Sequence, residues 1–341
     1  MKTLVTGATG FVGRALVAAL RARGDTVRAL VRRSSDAKAL ARLRHLGAET
    51  RDGDVEDEAS IARAAAGVEV IFHAAGYASL RGDKKRHEAV NLIGTENALG
   101  AAKTAGVRRL VHVSSAGVTK SMRPRSYVHE DLPQPPSFLD AYCETKALAE
   151  DLVIAANGGA FETVTLRPAW IWGPDDTTLL PTFIRPLREG RFVWIDGGQS
   201  LVATSYIRSV TDALLLAAKV PEAAGRVYYI TDDERVTARE FLTQLFGAVS
   251  LTPPRRSLPL GVAATVAWVA EKLMRNPPFT RSEVASLGVS AHFNIQRARK
   301  ELGYAPALTI AEGMERLRAW VKARGVDAIE RGEITETPPE S

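Results

Sequence analysis

Lys2-Thr-Leu-Val-Thr-Gly-Ala-Thr-Gly-Phe-Val-Gly13 is a short apolar strand that runs directly into a glycine turn and the first residues of a helix. Gly7 permits a tight turn, Gly10 lets backbone N–H groups approach a phosphate with no Cβ in the way, and Gly13 lets the helix pack closely on the strand. A glycine triplet alone is a weak signal. Here Leu4-Val5 precedes it and the helical pattern Phe11-Val-Gly-Arg-Ala-Leu-Val-Ala-Ala-Leu20 follows, which is the setting of a dinucleotide site. The other reading of the triplet is an ordinary β-α turn.

Outward from this turn, β-branched runs alternate with amphipathic stretches, the pattern of an α/β protein with a doubly wound, Rossmann-type parallel sheet. Strands are predicted near Leu4 and over Val27 to Val31, Glu49 to Arg51, Val68 to His73, Arg109 to Ser114 and Thr163 to Arg167. Helices are predicted over Arg14 to Arg23, Ala37 to Leu46, Ile61 to Ala66, Glu88 to Ala105 and Tyr142 to Ala156. Gly24, Gly47, Gly67 and Gly106 each fall where a helix should stop. After Arg167-Pro168 the texture changes to Pro, Gly and Trp, as in Trp170-Ile-Trp-Gly-Pro174, and Tyr228-Tyr-Ile230 reads as a late strand returning to the sheet. The expected division is a nucleotide-binding domain over 1–168, with segments near 200–230 returning to it, a smaller and mostly helical substrate lobe over 169–325, and a flexible tail over 326–341, polar and proline-bearing from Thr335 to Ser341.

Composition excludes several classes. With 341 residues, 45% hydrophobic and 25% charged, the chain can bury a large core. Its net charge is +6, but basic residues are mixed with acidic ones, even in the dense patches Ser34 to Arg51 and Arg81 to Arg86, so no nucleic-acid partner is expected. The single cysteine, Cys143, excludes an intrachain disulfide, argues against a zinc site and suits a reducing cytoplasm. No metal is expected, and no signal peptide is evident. Leu258 to Met274 is too short and too charged at its end for a transmembrane span, and reads as a buried or interfacial helix.

Tyr142-Cys-Glu-Thr-Lys146 places a phenol and an ammonium one helical turn apart on one face. A phenol titrates near pH 10 in water, roughly, and a neighbouring cation lowers that value, which makes it a usable acid or base. By itself the spacing also fits a surface pair. The hydroxyls of Ser114 and Ser115, at the end of the strand beginning at Arg109, fall at the sheet's carboxyl edge, where open α/β sheets bind ligands. Ser115 is the first choice to hold a reacting oxygen, and Ser114 the second.

Together these residues resemble the extended short-chain dehydrogenase/reductase family. The pattern here reads Thr6-Gly-Ala-Thr-Gly-Phe-Val-Gly13, His73-Ala-Ala-Gly76, Val90-Asn-Leu-Ile-Gly-Thr95, Ser114-Ser115, Tyr142-x-x-x-Lys146 and Arg167-Pro168, over residues 1 to about 310. The resemblance implies hydride transfer with a nicotinamide cofactor. Tyr142 is then the acid/base, Lys146 holds the nicotinamide ribose and lowers the tyrosine pKa, Ser115 orients the carbonyl, and Asn91 holds a water in the proton relay. Asn91 as a local backbone cap is the alternative. Gly7, Thr9, Gly10, Phe11, Val12, Gly13, Val55, Ala74, Ala75 and Pro168 fall at cofactor positions. Asp54 matches the family's adenine contact, unless it caps the helix that begins near Asp57. Homodimers are common in the family and are expected by resemblance.

The end of the second strand selects the nucleotide. An acid there suits the ribose hydroxyls of NAD, whereas a cation suits the 2′-phosphate of NADP. Val27-Arg-Ala-Leu-Val-Arg-Arg-Ser-Ser35 offers Arg32, Arg33 and two serines, so NADP(H) is favoured, with NAD as the alternative. Later segments, among them Leu166 to Pro174, Leu179-Leu-Pro181 and Ala298 to Pro306, are similar to the 3β-hydroxysteroid and sterol-4α-carboxylate dehydrogenase branch, which includes bacterial reductases of 2-alkyl-3-oxoalkanoates. Sterol members normally carry Asp where this chain has Arg32, which favours reduction. Trp170, Trp172, Leu179, Leu180 and Phe183 either wall a pocket for a lipid-like ketone or pack the lobe. The expected activity interconverts a ketone and a secondary alcohol on a bulky apolar 3-oxo/3-hydroxy compound. The alternatives are a nucleotide-sugar epimerase or dehydratase with tightly held NAD, and a non-catalytic NADP(H) sensor.

Overall fold

The fold is described from a computed structural model, which covers residues 1–274, 277–326 and 328. Strand β1 (Lys2–Thr6) leads through the glycine turn to α1 (Phe11–Ala22). There follow β2 (Thr26–Val31), α2 (Ala37–His45), β3 (Glu49–Asp52), α3 (Glu58–Ala65) and β4 (Val70–His73). After β4 come α4 (Lys84–His87), a π-helical stretch Glu88–Ile93, α5 (Gly94–Thr104), β5 (Arg109–Val113), α6 (Ala141–Ala155) and β6 (Glu162–Pro168). A seventh strand, β7 (Arg226–Ile230), completes a parallel sheet in the order β7-β6-β5-β4-β1-β2-β3. Its central strands are near-continuous apolar runs because helices cover both faces: all of Val70-Ile-Phe-His73 is buried. The helices stop at Gly24, Gly47, Gly67 and Gly106, each with φ in the left-handed region (85°, 73°, 68° and 66°), as their positions predict.

The order reverses at β1, between β4 and β2, which opens a crevice at the carboxyl ends of these strands. Tyr228-Tyr-Ile230 does return to the sheet, pairing with β6 from Arg226↔Val164 to Ile230↔Pro168. One predicted element differs. The single helix expected over Glu88 to Ala105 is split by the π-helical turn, where the Thr95 hydroxyl donates to the Asn91 carbonyl at 2.6 Å. A Cβ on Gly94 would lie 2.9 Å from the Val55 side chain, so the widened turn meets the β3–α3 loop closely.

Between β6 and β7 the chain forms α7 (Leu179–Arg188) and α8 (Ile207–Lys219), and a short strand Trp170–Trp172 that pairs in parallel with Thr204–Tyr206. After β7 come α9 (Ala238–Ala248), α10 (Leu260–Leu273), α11 (Arg281–Gly288) and α12 (Ile310–Arg324). A second core of Trp172, Trp194, Phe241, Phe246, Met314 and Leu317 holds this region together. α10 buries Ala263, Ala267 and Ala270, and leaves Val262, Val266, Trp268 and Leu273 exposed. No described helix is long and apolar enough to cross a membrane. Residues 329–341, most of the tail expected over 326–341 and all of Thr335 to Ser341, lie outside the described residues.

Candidate active site

Each glycine of the opening turn meets backbone that a side chain would strike. A Cβ on Gly7, itself at φ 67°, would lie 2.6 Å from Ala75 N, and one on Gly13 would lie 2.1 Å from the Gly7 carbonyl oxygen. On Gly10 it would lie 3.2 Å from the same oxygen, whose lone pair takes the Gly10 N–H at 2.9 Å. The turn therefore fits under the end of β4, and helix α1 starts with its unpaired N–H groups facing the crevice.

That crevice is a hollow of ≈ 210 Å³ lined by Gly7, Thr9, Gly10, Arg32, Asp54, Val55, Ala74 and Ala75, all expected at cofactor positions. Gly76 and Val90, which belong to the quoted family pattern, also line it, as do Leu30, Gly53, Tyr77 and Arg86, which were not expected at cofactor positions. Arg32 is exposed at the end of β2 and, among the described residues, makes no ion pair. Nearby in sequence, the Ser35 hydroxyl is buried without a hydrogen-bond partner. Arg33 does not line the hollow; it points to Asp52, 3.9 Å away, with both side chains exposed. Asp57, not Asp54, caps α3 by accepting the Ser60 N–H, which leaves Asp54 on the hollow. Phe11, Val12, Gly13 and Pro168 line neither this hollow nor the next. Phe11 belongs to the second core and Pro168 is buried beside Ile230.

A second hollow, ≈ 850 Å³, adjoins the first at the shared residues Gly76 and Tyr77 and carries Ser115 and Tyr142. Asp140 caps α6 by accepting the Cys143 N–H at 2.6 Å, so Tyr142 stands in the first turn of that helix. Ser115 Oγ accepts the Gly117 N–H at 3.0 Å, and its hydroxyl lines the same hollow as the Tyr142 phenol. Ser114, by contrast, is buried, its hydroxyl has no partner, and it lines neither hollow. Of the five apolar residues expected to wall a pocket or pack the lobe, Trp170 and Leu179 line this hollow, whereas Trp172, Leu180 and Phe183 belong to the second core.

Burial pushes the Tyr142 phenol up to about 12, opposed by the nearby Ser115 hydroxyl. Lys146 is buried one turn on, and desolvation lowers its ammonium to about 8. Its Nζ donates to the Val113 carbonyl at 2.6 Å and lies 3.4 Å from His112 Nε2. In this arrangement the ammonium bears on His112 and His73 and is not among the groups that shift Tyr142. The two histidines stack with ring centroids 5.5 Å apart, and burial holds His73 neutral, at about 3. His73 is fixed between the Thr6 and Thr95 hydroxyls, at 2.9 and 3.1 Å. These histidines sit opposite each other on adjacent strands; His73 opens the quoted motif His73-Ala-Ala-Gly76, whereas His112 reads in the sequence only as a strand position.

Asn91 is buried in the π-helical turn. Its amide oxygen accepts the Tyr77 N–H at 2.7 Å, and its Nδ2 donates to the Tyr77 carbonyl and the Thr145 hydroxyl. The side chain thus ties the loop after β4 to α6, joining the walls of the two hollows.

Residues 4–260 match the 3-beta hydroxysteroid dehydrogenase/isomerase family. The chain is 40% identical over 324 residues to a 4-hydroxy-2-methyl-3-oxo-4-farnesyl-3,4-dihydroquinoline-1-oxide ketoreductase of Stigmatella aurantiaca, covering 93% of this chain and 96% of that one. It is 34% identical to a 2-alkyl-3-oxoalkanoate reductase of Stenotrophomonas maltophilia, covering 94% and 99% of the two. A short-chain dehydrogenase/reductase superfamily protein from Agrobacterium tumefaciens, solved with bound NAD, superposes with a TM-score of 0.73 at 28% identity, over 96% of this chain and 99% of that one. The glycine cradle, the serine–tyrosine pair and these similarities agree: the chain belongs to the 3-beta hydroxysteroid dehydrogenase/isomerase family, and is an oxidoreductase of the extended short-chain dehydrogenase/reductase class.

Proposed function

We propose that the protein is an NADP(H)-dependent oxidoreductase that interconverts a ketone and a secondary alcohol on a bulky, largely apolar 3-oxo/3-hydroxy compound, working chiefly as a reductase. The observation that carries this reading is the junction of the hollows. Ser115 and Tyr142 line the larger one, which shares Gly76 and Tyr77 with the glycine-lined crevice. A carbonyl seated on these two hydroxyls therefore stands at the mouth of the nucleotide site.

When bound there, a reduced nicotinamide supplies the hydride to the carbonyl carbon. Tyr142 gives its proton to the carbonyl oxygen as that oxygen gains charge, and Ser115 donates a hydrogen bond to the same atom. With the phenol raised to about 12, Tyr142 holds its proton at neutral pH, as an acid for reduction must. Lys146 would hold the nicotinamide ribose, and Asn91 would hold a water through which the proton returns. Unpaired Arg32, with the partnerless Ser35 hydroxyl close by in sequence, suits a 2′-phosphate. The names of the two ketoreductase relatives support a 3-oxo substrate.

The test is a continuous assay of NADPH oxidation by nucleotide-free protein with long-chain 2-alkyl-3-oxo acids, steroid ketones and flavonoid ketones. Consumption of free NADPH with one equivalent of secondary alcohol formed is expected. Protein that retains NAD through dialysis and epimerises a nucleotide sugar without net cofactor turnover would overturn the reading.

A further inference from the structure

Arg125–Val128 forms a short strand that pairs in parallel with Ala291–Phe293, with Arg125 opposite Ala291 and Val128 opposite Phe293. Three steps along one strand answer two along the other, which is a β-bulge, and Tyr127 within it has φ 53°. Residues three apart in a regular strand face opposite ways. The extra residue brings Arg125 and Val128 to the same side, and both line the large hollow together with Ala291 and Phe293. A non-glycine residue rarely adopts the left-handed region, so the backbone is held against its preference at this bulge.

Arg125 Nη1 is enclosed and has no hydrogen-bond partner, and among the described residues the side chain makes no ion pair. Most other cations on the hollow are engaged. Arg81 is paired with Glu283, Lys120 with Ser282 and Asp140, and Arg191 with Glu189. Arg185 is also unpaired, but it is exposed. An enclosed guanidinium N–H without an acceptor forfeits a charge-assisted hydrogen bond, and a ligand that brings an anionic oxygen restores it.

We infer that Arg125 is the anion-binding residue of the substrate hollow, and that it takes the carboxylate of an otherwise apolar ketone whose hydrocarbon lies against Trp170, Leu179, Val289 and Phe293. This rests on the ketone-reductase reading and narrows its substrate class to 3-oxo acids over neutral sterol ketones.

Calorimetry of the full-length protein with NADPH present tests it, using a long-chain 2-alkyl-3-hydroxy acid, which NADPH cannot reduce, and its methyl ester. The wild type should bind the acid at least about tenfold more tightly than the ester. Arg125→Gln should erase that preference, and Arg125→Lys should keep part of it. Equal affinity of the wild type for acid and ester, or an undiminished preference in Arg125→Gln, overturns the inference. Should Arg125→Gln not fold, the wild-type ratio and Arg125→Lys decide, since a preference unchanged in Arg125→Lys shows that the guanidinium is not what holds the acid. Arg125-dependent acid binding without any reduction of 3-oxo acids would sink the reductase reading and leave the anion site standing; reduction without acid preference would do the reverse.

Discussion

Arg14 Nε donates to Asp175 Oδ2 at 2.9 Å, while Nη1 of the same guanidinium donates to the Thr9 carbonyl at 2.6 Å. One side chain thereby fastens the glycine turn of the nucleotide crevice to the segment that leads into α7 and the wall of the substrate hollow. Arg42 Nη1 reaches the same carboxylate oxygen at 2.6 Å, and all three side chains are buried. Asp175→Ala should leave two enclosed guanidinium groups without their counter-ion and destabilise the protein by about 3–5 kcal/mol. Denaturant unfolding checks this, and a loss below 1 kcal/mol, roughly the worth of a surface pair, would show that the cluster is dispensable.

Tyr142→Phe keeps the ring and removes the transferable proton. Turnover should fall by about 10²–10⁴-fold, with NADPH affinity little changed. Steady-state kinetics alongside nucleotide titration separate the two effects. Undiminished turnover would remove the tyrosine from the chemistry.

Arg32→Ala should weaken NADPH by about ten- to a hundredfold, the worth of a charged hydrogen bond, and leave NADH binding close to the wild type. Fluorescence titration with each nucleotide measures the ratio. Equal losses for both would contradict the phosphate assignment.

Burial lowers Lys146 from 10.5 to about 8, so between those values the unfolded chain binds a proton that the folded one does not. Stability therefore rises with pH across that window as far as this group is concerned. Thermal melts from pH 8 to pH 10.5 should show the wild type gaining stability relative to Lys146→Met. Parallel pH profiles would mean that no cation is stored beside His112.

The sheet was legible because its central parallel strands are buried on both faces and so spell continuous apolar runs, and four of the helices between strands stop at Gly24, Gly47, Gly67 and Gly106. The glycine cradle was legible because its spacing is local, and Ser115 and Tyr142, which line one hollow, were linked in the sequence by their family resemblance and not by spacing. The π-helical turn was not legible; Asn91 within it bonds Tyr77 and Thr145, residues 14 and 54 positions away, which spacing does not reveal. The Arg14–Asp175–Arg42 cluster spans separations of 161 and 133 residues and leaves no periodic mark. Nor does spacing tell which way a lysine turns. Tyr142-x-x-x-Lys146 predicts a shared helix face, but the Val113 carbonyl draws the ammonium toward the end of β5.

The closing strand of the sheet comes from residues 226–230, after an excursion of more than fifty residues. A fragment cut after Pro168 would contain the whole nucleotide crevice and still lack its outer border. Its β6 would then present a bare row of peptide donors and acceptors on the side that β7 normally seals, an invitation to pair with strangers. A self-standing nucleotide-binding portion should therefore need residues 226–230 as well, so the sheet is bordered only when the chain has passed through the region that builds the substrate hollow.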